Sequence, residues 1–236
     1  MIEYILHLPE KKQLQVFTLS WLWWQERNQR REGEKGREGE QLAVLIAHTA
    51  DEFMKIGRPV TVPGPKTKKK WQRPDQDIYK INCDGSFHAD TAVGGWGYVI
   101  RNDAGEVVLA GAGHCSHLMD ALHAELLACQ EGIKKAAEQG MWKVIVETDS
   151  LLAKSALETN SFALASIGGI AYETKSLMNM SFVSCVLSFC PRECNQVAHA
   201  LAAQGCMCSQ NADLCWEGMP PGVENLMARD IAEPLS

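Results

Sequence analysis

Hydrophobic and polar positions change period along the chain. From Ile78 to about Gly205, short runs at strand spacing alternate with longer runs at helical spacing. Residues 78–84 read as a strand, with "DGS" stopping the run. Trp96 to Arg101 and Glu106 to Gly111 read as a hairpin around a turn at Asn102-Asp103-Ala104-Gly105. A helix is predicted from Leu118 to Glu138, with Gly140 where a C-terminal glycine belongs. "KVIVETD" reads as a short buried strand and a helix begins near Ser150. A further helix covers about 166–179. In "SFVSCVLSFC", Val183, Cys185, Leu187 and Phe189 are expected to alternate inward until Pro191 breaks the strand. "ECNQVAHALAAQG" is a last helix, expected to stop at Gly205. The order β-β-β-α-β-α-α-β-α predicts an α/β domain. Its five-stranded mixed sheet would have three antiparallel strands, then two parallel ones, with helices covering it.

The flanks follow other patterns. Residues 1–58 read as a helical segment: Pro9 opens a helix on which Val16, Phe17, Trp21 and Trp24 share one face, and Gly33, Gly36 and Gly39 interrupt it. A second helix runs from about Glu40 to Lys55, with Leu42, Leu45 and Ile46 on its apolar side. Two such helices with exposed tryptophans suit packing on the main domain or docking on a protein partner. Residues 59–76, rich in Pro, Gly and Lys, read as an extended linker. Within it Lys66, Lys68, Lys69 and Lys70 match a solvated spacer, and less readily a nuclear address or phosphate patch. The main domain spans 77–205, and 206–236 is expected to be a tail with one short helix.

Composition narrows the classes. Apolar residues make up 46% of the 236, enough for a core, and no run reaches the ~18 apolar residues of a membrane span. The N-terminus lacks a basic region ahead of a long apolar stretch, which argues against a secretory signal. The nine cysteines show no CxxC pair, so reduced thiols in the nucleus or cytoplasm are expected rather than zinc or disulfides. Charge is unevenly spread: residues 1–75 carry a net +4, 76–205 a net −6 and 206–236 a net −4. The central domain therefore lacks the basic surplus of a strong phosphate binder.

Three acids stand out against this pattern. Asp84 follows a buried-looking strand, where Asp-Gly is also ordinary turn chemistry. Glu125 lies in the middle of an apolar helical stripe of Leu118, Ala121, Leu122, Ala128, Cys129 and Ile133. A carboxylate there is costly unless paired or bound to a cation. Asp120 and His123 point elsewhere on the same helix. Asp149 ends "VIVETD", where either it or Ser150 can cap the next helix; Glu147, on the same strand face, is a weaker competitor. Asn195 and His199, four apart, share a helix face. Carboxyl ends of adjacent parallel strands gather ligands, so Asp84 and Asp149 are expected side by side with Glu125 facing them. Crowded acids call for divalent cations, and oxygen ligands without thiolate suit Mg²⁺ or Mn²⁺.

"NCDGSF", "GGWGYVIRN", "HAELLACQEGI", "VIVETDS" and "RECNQVAHALA" together resemble the ribonuclease H-like domain of plant non-LTR-retrotransposon-derived proteins, in the type 1 ribonuclease H family. The resemblance spans about residues 79–204. "WLWWQERNQRREGE" and "KWQRPD" resemble the spacer that precedes it, and the polymerase motif YxDD is missing. The resemblance implies hydrolysis of the RNA strand of RNA–DNA hybrids with two Mg²⁺ ions, Mn²⁺ being a substitute. It implies that Asp84, Glu125, Asp149 and His199 form the catalytic, metal-binding set, with Gly85, Ser86 and Asn195 as nucleic-acid-binding positions. His199 stands where active members commonly place aspartate. The loop "FCPREC" has no counterpart of the family's mobile histidine, and Ala121 and Leu122 replace polar residues that grip the hybrid. A second expectation is therefore a nucleic-acid-binding or interaction module without catalysis, and a third is a related nuclease for single strands.

Overall fold

The computed structural model describes residues 2–31, 39–56, 70–159, 162, 165–209 and 212–231. The chain divides into two compact units, Met1–Thr67 and Lys68–Ser236. The expected breaks at Gly33 and Gly36, and Lys66, Lys68 and Lys69, lie outside the described residues.

In the first unit, a short α1 (Ile2–Leu6) precedes α2 (Glu10–Arg31) and α3 (Gly39–Ile56). Pro9 sits just ahead of α2, its carbonyl accepting from the Lys12 and Gln13 amides at 2.8 and 3.0 Å. The buried side of α2 is Thr18, Leu22 and Glu26, one turn apart, and α2 packs on α3. Phe17, Trp21 and Trp24 lie exposed, together with Trp23.

The second unit is an α/β layer structure around one mixed sheet. Its strands are β1 (Tyr79–His88), β2 (Val93–Arg101), β3 (Val107–Cys115), β4 (Lys143–Thr148), β5 (Ser184–Phe189) and β6 (Asp213–Glu217), in the order β5-β4-β1-β2-β3-β6. Pairs β1–β2, β2–β3 and β3–β6 are antiparallel; β1–β4 and β4–β5 are parallel. The sheet thus has six strands, not five. The additional strand comes from the expected tail: Asp213–Glu217 pairs with β3 and closes an edge that would otherwise stand open. The β2–β3 turn is the expected one, with Gly105 at φ +82° and the Asn102 amide bonded to Glu106 O at 3.0 Å.

Helices α4 (Ala121–Glu138), α5 (Leu151–Glu158), α6 (Gly168–Ser181), α7 (Gln196–Met207) and α8 (Glu224–Ile231) complete the unit. Neighbouring strand residues face opposite sides, and β2 shows this directly. A Cβ at Gly97 would meet the α7 backbone, 2.3 Å from Ala202 N, whereas Tyr98 lies beside Gly132 of α4. Helices α4 and α7 therefore cover opposite faces, and α7 rests almost backbone to backbone on β2 and β3. Gly205 belongs to that contact. The helix runs past it to Met207, and a Cβ there would lie 2.5 Å from Gly113 O, so close packing rather than helix termination accounts for the glycine.

Two more expectations change. Cys185 and Leu187 of β5 are half-buried as expected, but Val183 and Phe189 are exposed, because they lie just before the strand and at its last position on the sheet edge. Trp71, read as linker, is buried against Cys190 and Cys194 and stacks on the Arg101 guanidinium at 3.6 Å from the ring centre. Arg101 is fully buried, paired with Asp230 of α8 at 2.7 Å and donating to Asn82 Oδ1 at 2.8 Å. Val223 and Met227 join Val99, Leu201 and their neighbours in the core on the α7 face. The C-terminal segment is thus part of the domain's interior.

Candidate metal centre

Strand β1 does not end at Asp84. Its parallel pairing with β4 stops at Cys83–Thr148, while pairing with β2 continues through Asp84–Gly97 to His88–Val93. The Asp-Gly-Ser sequence therefore stays extended, and Asp84 is the first β1 residue beyond the reach of β4. Asp149 directly follows β4 in that gap. The cap role open to it is taken by Ser150, whose Oγ accepts from the Ala153 amide at 3.1 Å. Asp149 is left with its carboxylate outside the helix it precedes.

Glu125 arrives from α4, whose N-terminus is capped by Asp120 accepting from the His123 amide at 2.8 Å. Gly85 sets how close that helix comes. A Cβ at position 85 would sit 2.3 Å from Ala124 C and 2.4 Å from Glu125 N, so any larger residue would push α4 off the sheet. The backbone of Gly85 also hydrogen-bonds the Glu125 side chain. Oxygens of Asp84, Glu125 and Asp149 all lie within 4.8 Å of one another. Glu147 stays out of this cluster, its carboxylate bound to Lys80 and Asn82, both at 2.9 Å.

The cluster is electrostatically loaded. Burial pushes the Asp84 carboxyl up to about 6, and the neighbouring Asp149 pushes the same way against the lowering hydrogen bond from His199. Burial holds Glu125 well above the usual carboxylate range, with further upward pushes from Asp84, Cys129 and Asp149. One Glu125 oxygen, Oε2, is buried without a hydrogen-bond partner. A buried acceptor with nothing to accept is costly. Three converging carboxylates and an orphaned oxygen form the hard, anionic donor set that a small divalent cation satisfies, so the residues fit a Mg²⁺ or Mn²⁺ ion.

The remaining predicted positions surround this cluster. His199 Nδ1 lies 2.9 Å from Asp84 Oδ2. Asn195 is buried, its amide donating to Cys83 O at 2.8 Å and to Asp149 Oδ1 at 3.4 Å. Ser86 is half-buried and shares the Asp84 side of β1, two residues on; Gly85 is turned towards α4. Arg192 was not singled out by sequence, yet its guanidinium lies 3.3 Å from His199 Nε2. The signal available was its position seven residues before His199, which is two helical turns only if the chain between them is already coiled.

The model of the family described as reverse transcriptase-like matches residues 82–205, more than half of the chain and all of the acid cluster. The chain belongs to the reverse transcriptase-like family. The matched region of this reverse transcriptase-like protein nearly coincides with the stretch, about 79–204, that resembles ribonuclease H in sequence. Similar solved structures include the N-terminal RNase H domain of rv2228c from Mycobacterium tuberculosis, a fusion with maltose binding protein. It has 18% identity and a TM-score of 0.48, over 55% of this chain and 94% of that one. RNase H1 from the halophilic archaeon Halobacterium salinarum NRC-1 has 23% identity and a TM-score of 0.47, over 54% and 96%. LC11-RNase H1 in complex with an RNA/DNA hybrid has 17% identity and a TM-score of 0.47, over 55% and 99%. No curated protein matches the chain. No disulfide joins the cysteines among the described residues, and no described helix is long and apolar enough to cross a membrane.

Proposed function

We propose that the Lys68–Ser236 unit is a divalent-cation-dependent endoribonuclease that hydrolyses the RNA strand of RNA–DNA hybrids and descends from a retroelement. The observation that carries this reading is the convergence of Asp84, Glu125 and Asp149 within 4.8 Å, with Glu125 Oε2 left unpartnered. Its substrate class comes from the five-motif resemblance to ribonuclease H. Asp84, Glu125 and Asp149 are the residues that would hold Mg²⁺, or Mn²⁺ in its place. A dication at such a site supplies Lewis acidity, making water a better nucleophile and steadying the leaving oxygen of a phosphodiester.

The chain's own residues supply the rest. Asn195 holds Asp149 in place from within the α7 N-terminus. Burial and the neighbouring acids favour the proton-bound form of Glu125 in the cation-free centre, and a bound cation would push the other way. Ser86, on the Asp84 side of β1, is the position for a ribose contact that distinguishes RNA from DNA through the 2′-hydroxyl. Gly85 is explained by the approach of α4, so its part in substrate contact is indirect.

The deciding experiment uses the purified full chain with a labelled RNA–DNA hybrid, in Mg²⁺ and in Mn²⁺. Cleavage leaving 3′-hydroxyl ends is expected, falling more than about 100-fold in Asp84→Asn. Equal cleavage by the variant would remove Asp84 from the reaction. The second reading, a binding module without catalysis, is favoured by the net −6 of residues 76–205 and the histidine at 199. Hybrid binding with no product in either metal would establish that reading instead.

A further inference from the structure

His199 is held from both sides. Its Nδ1 lies 2.9 Å from Asp84 Oδ2, and its Nε2 lies 3.3 Å from the Arg192 guanidinium. A guanidinium has hydrogens to give and no lone pair to offer. Nε2 is therefore the acceptor in that pair, and the ring proton sits on Nδ1, donated to Asp84. Neither ring nitrogen has a lone pair turned towards the acids. The group of side chains able to share an ion contains Asp84, Glu125 and Asp149, and His199 is not in it.

The arm that holds Arg192 is well anchored. It belongs to a 3₁₀ turn, Arg192–Cys194, whose last residue is buried. The Arg192 carbonyl accepts from the Asn195 amide at 3.0 Å and from Gln196 Nε2 at 2.8 Å. His199 follows within α7, its amide bonded to Asn195 O at 3.0 Å. The backbone on both sides of the Arg192–His199 pair is thus fixed by the packing of α7 on the sheet.

We propose that Arg192 and His199 are positioning residues that fix the Asp84 carboxylate and limit the centre to one divalent cation. A carboxylate that joins two cations through both of its oxygens would have to share Oδ2, which already accepts a hydrogen bond from His199. A neutral imidazole also adds none of the negative charge that a second dication would need. The proposal rests on the acids being a metal centre and is independent of whether hybrids are cleaved.

Two measurements on the full chain test it. Titration with Mn²⁺ alone, with free Mn²⁺ read by electron paramagnetic resonance, should give one ion for the wild type and two for His199→Asp. His199→Asn, which keeps a side-chain donor towards Asp84, should stay at one. The ¹⁵N ring signals of His199 should show one pyrrole-type nitrogen (Nδ1) and one pyridine-type nitrogen (Nε2), unchanged by saturating Mg²⁺. In Arg192→Ala the Nε2 signal should move, whereas an arginine with only a surface role would leave it in place. Zero or two ions in the wild type, a ring pattern rearranged by Mg²⁺, or an Nε2 signal indifferent to Arg192→Ala would each overturn the proposal. One bound ion without cleavage of the hybrid would leave it standing and refute the nuclease reading.

Discussion

Replacing Asp84 by asparagine should make the cation-free protein more stable while removing its proposed activity. The Asp84 carboxyl ionises at about 6 in the folded protein against an ordinary 3.8. Each pKa unit corresponds to about 1.4 kcal/mol, so keeping this charge in the folded state costs about 3 kcal/mol once it is fully ionised. The sign follows from proton binding. The folded state holds its proton to higher pH than the unfolded chain, so this contribution is complete below 3.8 and is lost as pH rises through about 6. Asparagine is neutral throughout and still offers Oδ1 to the His199 Nδ1–H. The variant should therefore exceed the wild type by about 3 kcal/mol at pH 7.5, by about 1 kcal/mol at pH 4.5 and by nothing below pH 3. For a unit of this size that is about 6–12 °C in melting temperature at pH 7.5. Denaturant unfolding of both proteins in excess chelator across pH 3–8 measures it directly. A variant equal to or weaker than the wild type at pH 7.5 would refute the idea that the acids repel one another in a buried site.

Other outcomes follow from the same geometry. Saturating Mg²⁺ at about 100 times its Kd should stabilise the wild type by about 2.7 kcal/mol and leave Glu125→Gln and Asp84→Asn nearly unmoved in a thermal melt. Gly97→Ala places a Cβ 2.3 Å from Ala202 N; it should cost about 3 kcal/mol in a urea titration, and an unchanged midpoint would mean that α7 is free to lift. Asp230→Ala leaves the buried Arg101 without its carboxylate and should cost about 3–5 kcal/mol, read from the same titration; a loss under 1 kcal/mol would mean that α8 is dispensable.

Of the acid cluster, Glu125 was the most legible member, because it interrupts an apolar helical stripe. Asp84 and Asp149 each had an ordinary local reading as well, a turn and a helix cap, and only the structure gives the cap to Ser150. Strand pairing was legible too, since hairpin chemistry at Asn102–Gly105 and parallel-strand spacing around "VIVETD" leave few ways to order β1 to β5. The sixth strand was not. Asp213–Glu217 is five residues with an exposed or half-exposed pattern, and only its partner strand makes it a strand. Trp71 was hidden for a different reason: it lies in a Lys-, Pro- and Gly-rich stretch whose composition says linker, while its burial depends on Arg101 and Cys190, far away in sequence. Arg192 was hidden because its partner is set by a 3₁₀ turn that local pattern does not reveal.

The glycines show how the fold and the centre are one arrangement. Gly95 and Gly97 in β2 and Gly205 in α7 let that helix lie on the sheet with backbone atoms in contact. Gly85 does the same for α4 on the other face. Read locally, "GGWG" is a poor strand and Gly205 is a helix end. In three dimensions they are spacers of zero thickness that bring His199 and Asn195 from one helix, and Glu125 from the other, to the point where β1 outruns β4. Thicker residues at these positions would preserve every acid in the sequence and still separate them. The identity of the centre is written in its carboxylates, and its geometry in the side chains that are missing.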